Sequence, residues 1–134
     1  MLRRGIGFVR RKCACQHHGE GHHGPHICEQ LGFSVGDYLT AVVLRELSKK
    51  PMHGYELYEK ISQLEYYPFK HDQSVIYSLL RKLNNHGLVS YSLQEGNGGL
   101  RKVYEITEEG LKYLEQLVEY ISKLKQAFDL FLNA

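Results

Sequence analysis

Two short segments in the second half of the chain alternate apolar and polar residues, and a glycine-rich stretch joins them. Residues 88–93 read LVSYSL, residues 101–106 read RKVYEI, and QEGNGGL lies between them. Alternation with a period of two is typical of β-strands, and a glycine-rich connection containing Asn-Gly favours a tight turn. The segment is therefore predicted to be a β-hairpin, and every other periodic segment of the chain has helical spacing.

Two helices are predicted ahead of the hairpin. Residues 34–51 place apolar side chains on one broad face at helical spacing, with Ser34 or Asp37 as the N-cap and a Lys-Lys-Pro sequence at the end. Residues 54–64 form a second, shorter helix. A loop follows it, because Pro68 biases the residue before it toward an extended conformation.

A third helix is predicted between Asp72, a good N-cap residue, and Gly87, which stands where a left-handed residue would end the helix. Its predicted buried stripe is Val75, Ile76, Leu79, Leu80 and Leu83.

The last helix begins at Thr107 as its cap and carries a heptad pattern of apolar residues. The positions of this pattern are Leu114, Leu117, Ile121, Leu124, Phe128 and Phe131. A domain this small would leave such a stripe partly exposed, so we expect a second copy of the chain to cover it in a homodimer. The alternative is that the helix folds back on its own domain.

Three helices, a hairpin and a long helix, in that order, predict a mainly α fold with a small β-hairpin (α+β). This is the order of a winged helix-turn-helix followed by a dimerisation helix. The chain divides into an extension at 1–32, a winged domain at 33–106 and a C-terminal helix at 107–134. The extension is basic and rich in His and Cys, with too few apolar residues for a core of its own.

Three motifs resemble the PadR family of prokaryotic transcriptional regulators. They are PMHGYELYEKI, SVIYSLLRKLNNHGLVSYS and RKVYEITEEG, and the resemblance covers about residues 38–120. It implies a homodimeric repressor that binds operator DNA through a winged helix and dimerises through its C-terminal helix. The single short C-terminal helix resembles the compact branch of that family. Residues 1–32 match nothing in the family pattern.

The third helix also predicts DNA binding from its own residues. Its polar face carries side chains that can form hydrogen bonds and two cationic residues, which suit binding in a major groove. Basic residues also precede the helix and follow the turn of the wing. The predicted contacts are Lys70, His71, Gln73, Ser74, Tyr77, Ser78, Arg81, Lys82, Asn97, Arg101 and Lys102. The family resemblance implies a phosphate or groove contact for Tyr77. The competing interpretation is an ordinary solvated helix face.

No arrangement of residues typical of an enzyme is present, and the GNGG sequence lacks the strand-to-helix context of a phosphate loop. No apolar run is long enough for a membrane span, and the run behind the opening Arg pair is too short for a signal peptide. We therefore expect a cytoplasmic protein with no membrane contact. A metal ion or a small molecule is the expected kind of effector.

The stretch CACQHHGEGHHGPHIC at 13–28 holds all three cysteines and five of the eight histidines. Reduced cytoplasmic thiols disfavour a disulfide, whereas thiolate with imidazole suits Zn²⁺, Ni²⁺ or Cu⁺. The predicted ligands are Cys13, Cys15, His17, His18, His22, His23, His26 and Cys28. A passive tail and an iron–sulfur cluster remain open alternatives. A protein that stores or delivers metal on a winged dimer is the alternative function.

Overall fold

The computed structural model describes residues 33–96 and 98–134. The elements in chain order are α1 (Val35–Lys49), β1 (Met52–His53), α2 (Gly54–Ser62), α3 (Gln73–Asn85), β2 (Val89–Gly96), β3 (Gly99–Ile106) and α4 (Glu108–Leu132). The predicted mainly α fold with a small hairpin is confirmed.

Side-chain caps begin three of the described helices, and the cap of α2 is His53, whose Nδ1 accepts from the Glu56 N–H. Ser34 and Asp37 act together at α1: the Asp37 N–H donates to Ser34 Oγ (3.2 Å), and the Ser34 N–H donates to Asp37 Oδ2 (2.9 Å). This reciprocal arrangement is a capping box. Thr107 caps α4 by accepting from the Gly110 N–H at 3.0 Å. Asp72 holds the N-cap position of α3, but its side chain makes no capping hydrogen bond within the described residues.

The sheet has three antiparallel strands with β3 in the centre. The predicted hairpin pairs Val89 with Ile106 at its base and Gly96 with Gly99 at its tip. On the other edge of β3, Met52 pairs with Tyr104. The sequence did not predict β1, because two residues are too few to show an alternating pattern. Gly87, which ends α3, has a φ of 75° as expected for a left-handed residue.

The core lies between α1, α2, α3, the sheet and the first half of α4. On α3 the stripe that reaches the core is Ile76, Leu80 and Leu83, with Leu79 partly buried. The prediction for Val75 was wrong, since 38% of this residue is exposed. Val75 lies one position from Ile76, about 100° around the helix, and faces outward.

The predicted apolar seam of α4 has a buried first half and an exposed second half. Leu114 and Leu117 are buried in the chain's own core against α1, and Ile121 packs at its edge. Beyond them the helix extends past the domain, and Phe128 and Phe131 are 60% and 76% exposed. The first half of α4 thus folds back on its own domain, while the last two turns carry apolar side chains that nothing in the described chain covers.

A buried carboxylate ties α1 to the loop that follows α2. The side chain of Glu46 is fully buried and accepts hydrogen bonds from the Tyr66 hydroxyl (2.6 Å) and from Lys49 Nζ (3.1 Å). Burial by itself raises the pKa of the Glu46 carboxyl, but these two hydrogen bonds and the positive charges of Lys49 and Lys60 together outweigh it, so its pKa lies below the ordinary value. The contact holds Tyr66, in the loop between α2 and α3, against α1 and so helps to position the chain that enters α3.

Candidate nucleic-acid interface

The outer face of α3 is polar and contains no acidic side chain. Ile76, Leu80 and Leu83 turn one face to the core, which leaves the opposite face to solvent. The exposed predicted residues on it are Gln73, Ser74, Ser78, Arg81 and Lys82. Gln73 and Ser74 lie in the first turn, the part of a recognition helix that contacts base edges.

Tyr77 differs from these residues, because its ring is half-buried against the start of α2. A Cβ added at Gly54 would lie 2.1 Å from Tyr77 Cε1, so only glycine permits this close packing. The contact explains the glycine of the HGYEL motif. It also sets the distance between α2 and α3, the two helices of the helix-turn-helix.

The residues just before α3 are ordered by an aromatic cluster. Tyr67 is buried, and its hydroxyl hydrogen-bonds Nε2 of His71, while its ring packs edge-on against Phe69. His71 is therefore held beside the first turn of α3, and Lys70 next to it is exposed. Backbone N–H groups at a helix start attract phosphate oxygens, so this placement fits the predicted phosphate contact.

The two predicted basic residues of the wing have different surroundings. Arg101 Nη1 lies 2.9 Å from Nε2 of His53 on β1. Lys102 Nζ lies 4.6 Å from the centroid of the Tyr91 ring, within the range of a cation–π contact. The predicted contact Asn97 lies outside the described residues. Leu93 and Leu100, which the sequence analysis did not single out, are exposed on the wing.

A cleft of about 480 Å³ separates α3 from β3 and the start of α2. Its lining residues are His53, Gly54, Tyr55, Tyr77, Arg81, Arg101, Lys102 and Tyr104. Three permanent cations and no carboxylate line it among the described residues, and tyrosine rings form its walls. Burial raises the pKa of Tyr104, so its hydroxyl stays protonated. Such a cleft attracts the phosphate groups of a nucleic acid.

Sequence reasoning identified Tyr77, Arg81, Arg101 and Lys102 but missed His53. A lone histidine beside a helix start carries no local signal of its role, because its partner Arg101 is far away in sequence.

The eight predicted metal ligands lie outside the described residues. In the part of the chain that the structure describes, no group of three or more His, Cys, Asp or Glu side chains is placed to hold a metal ion. Among the helices of the described residues, none has the length and hydrophobicity of a transmembrane span.

A helix-turn-helix, a hairpin wing and an acid-free polar recognition helix beside a basic cleft define a winged-helix DNA-binding protein. A family model for PadR-like transcriptional regulators matches residues 43–116, more than half of the chain. The chain belongs to the PadR-like transcriptional regulator family, as its motifs predicted. Proteins of this family are DNA-binding regulators and not enzymes.

Relatives and solved structures agree with this assignment. The chain is 30% identical over 100 residues to an uncharacterised protein of Lysinibacillus sphaericus, covering 74% of this chain and 92% of that protein. It is 29% identical over 106 residues to the transcriptional regulator YqjI of Escherichia coli, covering 79% of this chain and only half of YqjI.

Two solved structures share the fold. A PadR-like transcriptional regulator from Bacillus cereus has a TM-score of 0.64 at 25% identity, over 75% of this chain and 96% of that one. A transcriptional regulator from Clostridium thermocellum has a TM-score of 0.66 at 25% identity, over 72% and 95% of the two chains.

Proposed function

We propose that the protein is a repressor that binds operator DNA as a homodimer, with α3 in the major groove and the hairpin along the backbone. The observation that carries this proposal is the acid-free face of α3 beside a cleft lined by Arg81, Arg101 and Lys102. An ordinary solvated face would carry both signs of charge, as the outer face of α4 does with its lysines and glutamates.

Different parts of this surface take different roles. Gln73 and Ser74 have side chains suited to base edges, and the exposed Val75 beside them offers an apolar contact for a thymine methyl group. Lys70, His71 and Lys82 flank the groove and suit phosphates. The contacts to base edges would make binding sequence-specific, and the contacts to phosphates would position the protein on the DNA.

The homodimer is supported by apolar surface at two places on α4. A groove of about 320 Å³ runs between α1 and α4, with Ala41, Val42 and Val118 in its lining. The exposed Phe128 and Phe131 extend this surface to the end of the helix. A second copy would cover it, and PadR regulators are typically dimeric. Two-fold symmetry would place the recognition helices about 34–36 Å apart, on half-sites one turn of DNA apart.

Gln73→Ala is expected to reduce the preference of the protein for its operator over random DNA by about 1–3 kcal/mol, because a base-edge contact is lost. Lys102→Ala is expected to weaken binding to both DNAs about equally and to reduce the salt dependence. The measurement is fluorescence anisotropy with an operator selected from a random library. Lys123→Ala, on the exposed face of α4, is the control and should change neither. Equal losses from Gln73→Ala on both DNAs would show that α3 does not read the sequence.

We further propose that residues 1–32 make this regulator responsive to a metal ion. The support is compositional: eight thiolate and imidazole ligands lie within sixteen residues, directly after five basic residues at positions 3, 4, 10, 11 and 12. Metal coordination supplies folding free energy, so a bound ion would order the segment and redirect its basic residues. A change of operator affinity by about 1–3 kcal/mol would suffice for a switch.

The metal response is tested by operator affinity with and without Zn²⁺, Ni²⁺ or Cu⁺, for the intact protein and for one lacking residues 1–32. We expect only the intact protein to respond, and we expect metal affinity to fall below about pH 6.5, where imidazoles protonate. If both proteins respond alike, the segment is a passive tail. If the intact protein binds several ions per chain but shows no salt-sensitive DNA binding, metal storage is the function.

A further inference from the structure

His53 stands between two hydrogen-bond donors. It is the N-cap of α2, and its Nδ1 accepts from the backbone N–H of Glu56 at 3.3 Å. Its other ring nitrogen, Nε2, lies 2.9 Å from Nη1 of Arg101 on β3. About a quarter of the His53 side chain is exposed, and the exposed part faces the basic cleft.

A histidine ring cannot accept from both of these donors. A neutral imidazole has one nitrogen that accepts and one N–H that donates, and a protonated imidazole has two donors. If Nδ1 accepts the capping bond, Nε2 carries a hydrogen and meets the guanidinium of Arg101 donor to donor. If Nε2 accepts from Arg101, the cap of α2 is lost. Within the described chain, one of the two contacts is therefore always unfavourable.

An acceptor placed between Nε2–H and the guanidinium would resolve this conflict. The nearest carboxylate, Glu56, does not supply it: Glu56 Oε1 is 4.0 Å from Nε2, and Oε2 is held by Lys50 at 2.9 Å. The hydrogen bond from Lys50 also holds the pKa of Glu56 below its usual value. The Glu56 carboxylate therefore stays ionised and paired with Lys50.

The positive charge of the cleft indicates that a phosphate group is the acceptor between His53 and Arg101. Arg81 and Lys102 line the same cleft as Arg101, so the site is strongly cationic. A guanidinium binds phosphate through two parallel N–H donors, and a phosphate has further oxygens for a third donor such as an imidazole N–H.

We propose that His53 and Arg101 together bind one phosphate group, with His53 Nε2–H and the Arg101 guanidinium donating to it while His53 Nδ1 keeps the cap of α2. This inference rests on the proposed DNA-binding function, in which the group is a backbone phosphate of the operator. Inorganic phosphate offers the same chemistry and serves as the second source. Because His53 starts α2 and Arg101 lies on β3, one bound phosphate fixes the wing relative to the helix-turn-helix.

His53→Asn separates the phosphate contact from the cap. Asparagine is a preferred N-cap residue, so α2 keeps its capping bond, but the shorter amide loses the Nε2–H donor. We expect the variant to unfold at the same temperature as the wild type or slightly above it, because the donor–donor contact with Arg101 is removed while the cap is kept. Its affinity for operator and random DNA alike should fall about tenfold, as for the loss of a charge-assisted hydrogen bond. The slope of log affinity against log salt should stay the same, because the imidazole is neutral in this arrangement and Arg101 still neutralises the phosphate. His86→Asn, at the C-terminal end of α3 away from the cleft, is the matched control and should bind like the wild type.

Two measurements identify the phosphate. Operators with a single methylphosphonate in place of one phosphate should reveal a position at which the wild type loses more affinity than His53→Asn, which keeps only the Arg101 contact to that phosphate. In ¹⁵N NMR spectra, DNA or inorganic phosphate should hold His53 as the Nε2–H tautomer and shift its resonances while leaving those of His86 unchanged.

The outcomes separate this inference from the function it rests on. If the wild type binds DNA and His53→Asn binds equally well, the shared phosphate site is refuted while DNA binding stands. If the wild type binds no DNA but inorganic phosphate shifts the His53 resonances, the site stands as an anion site and the proposed function fails. If neither DNA nor phosphate affects His53, the inference is overturned.

Discussion

Gly110→Ala is expected to destabilise the protein by about 1–3 kcal/mol, although alanine is the better helix former. Gly110 lies in the first turn of α4, and a Cβ added there would be 2.1 Å from the carbonyl oxygen of Leu88 and 2.7 Å from Cγ1 of Ile106. The carbonyl cannot simply move, because it accepts from the Thr107 N–H at 3.1 Å. Helix propensity alone would favour alanine by about 1 kcal/mol, so the tertiary contact reverses the sign.

Urea unfolding followed by circular dichroism measures this effect, with Gly36→Ala as the matched control. Gly36 lies in the first turn of α1, and the nearest atom to an added Cβ is Ser34 Oγ at 3.5 Å, an ordinary contact. This substitution should leave stability unchanged or raise it by up to about 1 kcal/mol. If Gly110→Ala and Gly36→Ala shifted the urea unfolding midpoint equally, α4 would not pack against Leu88 as described.

Leu117→Glu is expected to unfold the protein, whereas Phe128→Glu with Phe131→Glu should leave the fold intact and separate the dimer. Leu117 is fully buried in the chain's own core, and an unpaired carboxylate there costs several kcal/mol, comparable to the whole stability of a small domain. The two phenylalanines are exposed in the single chain, so a charge costs little until a second copy covers them.

Circular dichroism and sedimentation at micromolar concentration distinguish these outcomes. Gln116→Glu with Gln126→Glu adds the same two charges to exposed positions of α4 off the heptad seam, and this control should remain a folded dimer. A wild-type protein that sediments as a monomer would contradict the proposed assembly. A Phe128→Glu, Phe131→Glu variant that stays dimeric would place the interface elsewhere.

Local features of the sequence determined the helices and the hairpin, their order along the chain and several of their ends. Apolar spacing predicted the helices and the hairpin, because each period reports the geometry of its own backbone. Hydrogen bonds between near neighbours determined the starts of α1 and α4, so Ser34, Asp37 and Thr107 could be identified as caps. The absence of acidic residues from the outer face of α3 can also be seen in the sequence, because it depends only on residues within one helix. These features, with the family motifs, predicted most residues of the proposed DNA-binding surface but not His53.

Only the tertiary structure decided which partner each apolar or polar face meets. Periodicity shows that α4 has an apolar seam, but it does not show that Leu117 faces the chain's own α1 while Phe131 stays exposed. The two-residue strand β1 exists only because β3 pairs with it. His53 and Arg101 meet, and Gly54 meets Tyr77, only after the helices and the sheet have packed. The physical reason is that a local pattern specifies the conformation and the apolar face of a segment, whereas contacts between distant residues depend on how those faces cover one another.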